Sequence, residues 1–142
     1  MLWPIIGLVL DQLTKLLVTT RLALGGSFVS FGPFSFTRFE NGAGPMSLPI
    51  PAAVLLAASV LVLGAIGWLL WHERHHHLNP GYAWIFWGGV SNLIDRLARG
   101  LTVDYIGLPF GGYWNLADVM ILVGLVLIVV GGWRKKEKSE QS

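Results

Sequence analysis

The run 51–71 contains no Asp, Glu, Lys or Arg and a single hydroxyl, Ser59, and it opens on a proline in the first-turn position. A helix crossing a hydrocarbon core of about 30 Å needs roughly 20 mostly apolar residues, so this one segment already excludes an ordinary soluble domain. Composition agrees: 54% of the 142 residues are hydrophobic and only 13% charged, where soluble domains carry about 25% charged residues. The absence of cysteine removes disulfide scaffolds, thiol nucleophiles and Cys-ligated metals. The net charge of +2, with four of the ten cations between Arg134 and Lys138, suits an anionic membrane surface and not nucleic acid.

Three further stretches are long and apolar enough to be read as spans: 2–20, 82–98 and 116–133. In the first, Pro4 falls in the opening turn and need not break the helix. A cleaved signal peptide is the rival reading there, but the run lacks a basic leader and is split by Asp11. The expected fold is an all-α polytopic membrane protein of four transmembrane helices in a single membrane domain, 1–133, followed by a polar, disordered basic tail, 134–142. Outside the spans, Arg74 and the four tail cations oppose Arg21, Arg38 and Arg99, so the positive-inside rule puts both termini in the cytoplasm. Segment 21–50 then lies outside, and its Phe34 and Phe36 between turn formers suggest a short strand pair. The outer loop 99–115 is glycine-rich, with Tyr105, Phe110, Tyr113 and Trp114 as interfacial aromatics.

An ionisable side chain in the bilayer costs about 2.5–3.5 kcal/mol even on lenient scales, so each one kept in a span needs a partner or a purpose. Asp11 and Lys15 are spaced i, i+4, as are Asn92 and Arg96, while Asn92–Asp95 and Asn115–Asp118 are i, i+3, so each set shares a helical face. With rise per residue taken into account, Lys15, Asn92, Asp95, Arg96, Asp104 and Asp118 converge on the outer leaflet. Asp11 with Lys15 and Asp95 with Arg96 can neutralise one another or a neighbouring helix and so hold a bundle together. Two cations then serve four aspartates, which leaves Asp104 and Asp118 without an obvious partner. Two carboxyls about 3 Å apart share a proton, the basis of aspartic peptidase chemistry. Spacing alone leaves three readings open: that chemistry, a proton- or ion-coupled small membrane carrier, and structural pairing.

Four blocks carry a resemblance: Asp11-Gln12-Leu13-Thr14-Lys15, Gly88-Gly89-Val90-Ser91-Asn92-Leu93-Ile94-Asp95-Arg96, Gly100 with Val103-Asp104-Tyr105, and Trp114-Asn115-Leu116-Ala117-Asp118. Together and in this order, the chain resembles the lipoprotein signal peptidase (signal peptidase II) family over essentially its whole length. The resemblance implies an aspartic endopeptidase of the bacterial inner membrane that cleaves the signal peptide of prolipoproteins just before a diacylglyceryl-modified cysteine. It implies no cofactor and no metal, contact with membrane lipids, a monomer, and an active site toward the periplasm. It puts the catalytic pair on Asp104 and Asp118. Asn92 and Arg96 would hold the substrate backbone, Asn115 would orient the pair, and Asp11, Lys15 and Asp95 would brace the helices. Segment 21–50 would form a small periplasmic β-cradle.

Three departures stand out. Where the family reads Asn-x-Gly-Ala-Ala-Phe, this chain has Glu40-Asn41-Gly42-Ala43-Gly44-Pro45-Met46, and Asn41 is expected to take the substrate-contacting role over Glu40. Trp114 replaces a common phenylalanine. The first helix starts so close to Asp11 that the natural start is expected upstream of Met1. A competing motif, His72-Glu73-Arg74-His75-His76, satisfies the zinc-peptidase pattern H-E-x-x-H. Asn79-Pro80-Gly81 ends any helix shortly after it and no third ligand is at hand, so a polar loop at the inner headgroups is expected instead.

Overall fold

The computed structural model describes residues 2–42, 50–72, 79–109 and 112–140. In chain order it contains α1 (Leu2–Arg21), β1 (Ser27–Phe31), β2 (Phe34–Asn41), α2 (Ala52–His72), α3 (Gly81–Arg99), β3 (Thr102–Gly107), β4 (Tyr113–Trp114) and α4 (Leu116–Glu140). The burial pattern is that of a protein whose solvent is lipid. Large apolar side chains such as Leu13, Leu61, Trp71, Leu125 and Trp133 face outward, whereas Asp11, Lys15, Ser91, Asn92, Asp95 and Asn115 are buried. Three helices are long and apolar enough to cross a membrane: α1, α2 and the Leu116–Trp133 part of α4. Helix α3 has the length but falls short in hydropathy, because its last turns carry Asp95, Arg96 and Arg99.

Helix α3 starts where Asn79 Oδ1 accepts from the Gly81 amide at 2.8 Å, while Asn79 Nδ2 donates to the Leu127 carbonyl of α4 at 2.7 Å. It lies very close to α4. A β-carbon on Gly81 would stand 2.3 Å from the Gly124 carbonyl oxygen, and one on Gly124 would stand 2.6 Å from the Gly81 carbonyl oxygen. Only glycine permits that approach, the usual device where apolar burial cannot drive helices together. Helix α3 ends at Gly100, whose φ of 74° is left-handed and whose amide donates to the Arg96 carbonyl at 3.0 Å. That reversal sends the chain directly into β3.

The strands form one antiparallel sheet in the order β1-β2-β3-β4. The expected strand pair exists, turning at Gly32-Pro33. The outer loop does not stay a loop: β3 pairs along β2, with Phe39 opposite Asp104 and Asn41 opposite Thr102, and β4 closes on β3. An all-α class therefore describes only the helices. The aromatic assignment changes with it, since Tyr105 is buried in a core with Val18 and Val103 where β3 meets the end of α1. Phe110 lies outside the described residues. The tail expectation is corrected too, because α4 continues unbroken past Trp133 to Glu140. Residues 134–140 include Arg, Lys and Glu, good helix formers with no proline or glycine among them, so an existing helix is extended at little cost.

Candidate active site

Asp104 sits in the middle of β3 and Asp118 in the first turn of α4. The link between them is Asn115, just ahead of α4. Its Oδ1 accepts from the Asp118 amide at 3.0 Å, and Asp118 Oδ2 accepts from the Asn115 amide at 3.1 Å. This is a reciprocal capping box, and it satisfies two amides that a helix N-terminus leaves over. The remaining group of the same side chain, Asn115 Nδ2, donates to Asp104 Oδ1 at 2.7 Å and to Asn92 Oδ1 at 3.1 Å. The cap that starts α4 thus also clasps the carboxylate of β3.

Each remaining oxygen of the pair has its own donor. Asn92 Nδ2 donates to Asp118 Oδ1 at 2.9 Å, and Asn41 Nδ2 donates to Asp104 Oδ2 at 3.1 Å. Among the described residues no Lys or Arg lies within 4.0 Å of either carboxylate. Burial first, and the negative charge of Asp118 second, push the Asp104 carboxyl up to about 7, against the pull of the Asn41 and Asn115 hydrogen bonds. Asp104 therefore takes up a proton far more readily than an ordinary carboxylate.

A second buried cluster adjoins it. Lys15 Nζ lies 2.7 Å from Asp11 Oδ2 and 2.8 Å from Asp95 Oδ2, and it also donates to Asn92 Oδ1 at 3.1 Å. Asp11 further accepts from Ser91 Oγ at 2.7 Å and from the Tyr105 hydroxyl at 2.8 Å. Burial, then Asp11, raise the Tyr105 hydroxyl far above its ordinary range, so it remains a donor. The Asp11–Lys15 pairing matches the i, i+4 reading. Asp95 and Arg96 each meet a neighbouring helix, the second of the two expected arrangements: neighbours on a helix point apart, so Asp95 reaches Lys15 across to α1, while Arg96 Nη1 donates to Ser59 Oγ of α2 at 3.0 Å.

Of the two residues assigned to substrate backbone, only Arg96 lines the cavity, a space of about 200 Å³ walled by Asn41, Ala52, Leu55, Leu56 and Leu101 as well. Asn92 lies within the polar network, bonded to Asp118, Asn115 and Lys15. Between the two candidates at the departed block, the amide of Asn41 reaches Asp104, whereas Glu40 pairs with Arg38, which also binds the Thr19 and Leu22 carbonyls at the end of α1. Ser91, Gln12 and Ser59 received no role from sequence, and Tyr105 only that of an interfacial aromatic. Ser91 had a detectable signal, a hydroxyl four residues from Asp95 on the face that also bears Asn92. Of the histidine motif, His72 ends α2 stacked on Trp68 at 5.1 Å, and residues 73–78 lie outside the described residues. No group of three or more potential metal ligands occurs among the described residues.

Fold and site together define a membrane protein built round two amide-clasped aspartates beside an ion-paired cluster of Asp11, Lys15 and Asp95. The profile of the family described as Signal peptidase (SPase) II matches residues 4–134, and the chain belongs to that family. It is accordingly a peptidase and a bacterial membrane protein. It is 38% identical over 133 residues to the lipoprotein signal peptidase of Desulforapulum autotrophicum, covering 84% of this chain and 82% of that protein. With the enzyme of the same name from Streptococcus pyogenes serotype M6 it shares 33% over 137 residues, covering 90% and 88%. A solved chain described as a bacterial membrane enzyme structure obtained by the in meso method at 2.3 Å superposes with a TM-score of 0.85 over 96% of this chain and 88% of that one. At 22% identity, that likeness establishes the fold.

Proposed function

We propose that this chain is an aspartic endopeptidase that removes the signal peptide from diacylglyceryl-modified prolipoproteins, cutting immediately before the lipidated cysteine, with Asp104 and Asp118 as its catalytic pair. The observation that carries this reading is the Asn115 clasp, which ties both carboxylates to one residue, Asp104 through its side-chain amide and Asp118 through its main-chain amide, with no described Lys or Arg within 4.0 Å of either. The lipoprotein substrate is supported by the names of the relatives, and the lipidated cysteine by the motif resemblance.

In the reaction, the ionised aspartate takes a proton from a water whose oxygen attacks the scissile carbonyl carbon. The protonated aspartate donates to the carbonyl oxygen, and as the tetrahedral intermediate collapses a proton passes to the departing amine. The C–N bond breaks, and carboxylic acid and amine are released. Asn115 and Asn92 keep the pair oriented, Asn41 holds the outer oxygen of Asp104, and Arg96 presents its guanidinium to substrate in the cavity. Asp11, Lys15 and Asp95 brace α1 against α3.

Helix α3 is the fourth span. Its polar side chains Ser91, Asn92 and Asp95 are buried, so its hydropathy understates how apolar a face it offers lipid. Both termini are cytoplasmic by the charge bias, and the sheet and the aspartates face the periplasm. The protein acts as a monomer. The test is to incubate purified protein in detergent, without added metal, with a diacylglyceryl-modified prolipoprotein. Signal peptide release that is lost in Asp104→Asn and in Asp118→Asn is expected. Dependence on added zinc, or aspartate-dependent proton flux in vesicles without proteolysis, would overturn the reading.

A further inference from the structure

Helix α2 is the least embedded of the helices, with Leu63 its only buried residue, and its one hydroxyl is Ser59. That hydroxyl donates to the Leu55 carbonyl at 2.7 Å, the usual habit of a serine inside a helix, and its oxygen accepts from Arg96 Nη1 at 3.0 Å. We infer that Ser59 is a positioning residue: it holds the Arg96 guanidinium against α2, beside the cavity that Arg96 lines between α2, the end of α3 and the end of β2. This rests on the reading of Arg96 as a substrate-holding group.

The guanidinium has a competing place to go. Arg96 lies in the last turn of α3, near the outer headgroups, and a long cationic side chain at the end of a span extends toward the interface when nothing retains it. Among the described residues, no carboxylate lies within 4.0 Å of it. Ser59 is seven residues into α2, about 10 Å below its first turn, so the bond draws the guanidinium inward against that tendency. Leu55 and Leu56, about one turn nearer the start of α2, wall the cavity that Arg96 also lines. Arg96 therefore has two positions, tethered and released, and only the first faces substrate. Losing the tether lowers the fraction of competent molecules, and apparent affinity falls by that fraction while the aspartates are untouched.

The test uses the full chain in detergent with the lipid-modified prolipoprotein. Ser59→Ala raises KM about tenfold with kcat held within about twofold, and leaves the pH profile of kcat where it was. Ser59→Thr, which keeps the hydroxyl, restores the wild-type KM. An unchanged KM in Ser59→Ala, a loss confined to kcat, or a threonine variant as poor as alanine each overturns the assignment. A second readout needs no proteolysis: the rate at which phenylglyoxal modifies Arg96, followed by mass spectrometry without substrate. Several-fold faster modification in Ser59→Ala than in wild type or Ser59→Thr supports the tether, and equal rates refute it. A wild-type protein that fails to cleave would sink the proposed function, while this measurement would still decide for or against Ser59.

Discussion

The two acidic clusters both gather two aspartates and differ in what donates to them. Asp11 and Asp95 share the ammonium of Lys15 at 2.7 and 2.8 Å. Asp104 and Asp118 receive four amide donors instead: Asn41 and the Asn115 side chain on one, Asn92 and the Asn115 main chain on the other. In the first cluster one ammonium meets two carboxylates and offsets part of their charge. A neutral amide fixes a carboxylate's direction and leaves its charge in place. That difference supports Asp104 and Asp118 as the proposed reactive pair, and it is visible only when donors are identified as charged or neutral.

The largest effect that could break this contrast comes from the pair itself. Asp104→Asn or Asp118→Asn should lower kcat by about four orders of magnitude, since the members of a catalytic unit fail together. Thermal unfolding in detergent should stay at or above the wild-type midpoint, and a variant that still cleaves would refute the pair. Lys15→Met should do the converse, leaving two carboxylates uncompensated and costing about 3–5 kcal/mol of stability; a wild-type midpoint would show that the brace is dispensable.

Acidity sharpens the contrast more gently. With Asp104 raised to about 7, the folded state binds more protons than the unfolded chain between the ordinary carboxylate value of 3.8 and about 7. This residue's contribution to stability is therefore greatest at low pH and declines as pH rises through that window. Activity should fall on the alkaline side with a midpoint near 7. Asn41→Ala removes a donor that favours the ionised form, so that midpoint should move up by roughly half a unit to one unit. The smallest effect is expected at His72→Ala, which should leave cleavage within about twofold of wild type, with or without a chelator.

Much of the helical frame was legible because lipid imposes length on a span: 2–20, 51–71 and 82–98 became Leu2–Arg21, Ala52–His72 and Gly81–Arg99. The pairing of Asp11 with Lys15 was legible because i, i+4 spacing is local. Segment 99–115 hid its strands for a physical reason: residues 102–105 are all buried, with no polar-apolar alternation of the kind that marks a half-exposed strand. The partner of Asp95 was left between Arg96 and a neighbouring helix because meeting Lys15 depends on how α3 is rotated against α1. Ser91 was passed over and Tyr105 taken for an interfacial aromatic because a hydroxyl carries no charge and its importance appears only once a carboxylate is opposite it. The continuation of α4 past Trp133 was missed because polarity was taken for disorder, although helix formation is indifferent to polarity.

The ladder between β2 and β3 has a consequence for biogenesis. Asn41 arrives in the first half of the chain, Asp104 after the third helix, and Asn115 with Asp118 only at the head of the last. A nascent chain still short of residue 118 has one member of the proposed pair and no clasp. On that assignment, proteolytic competence is switched on only when the last helix enters.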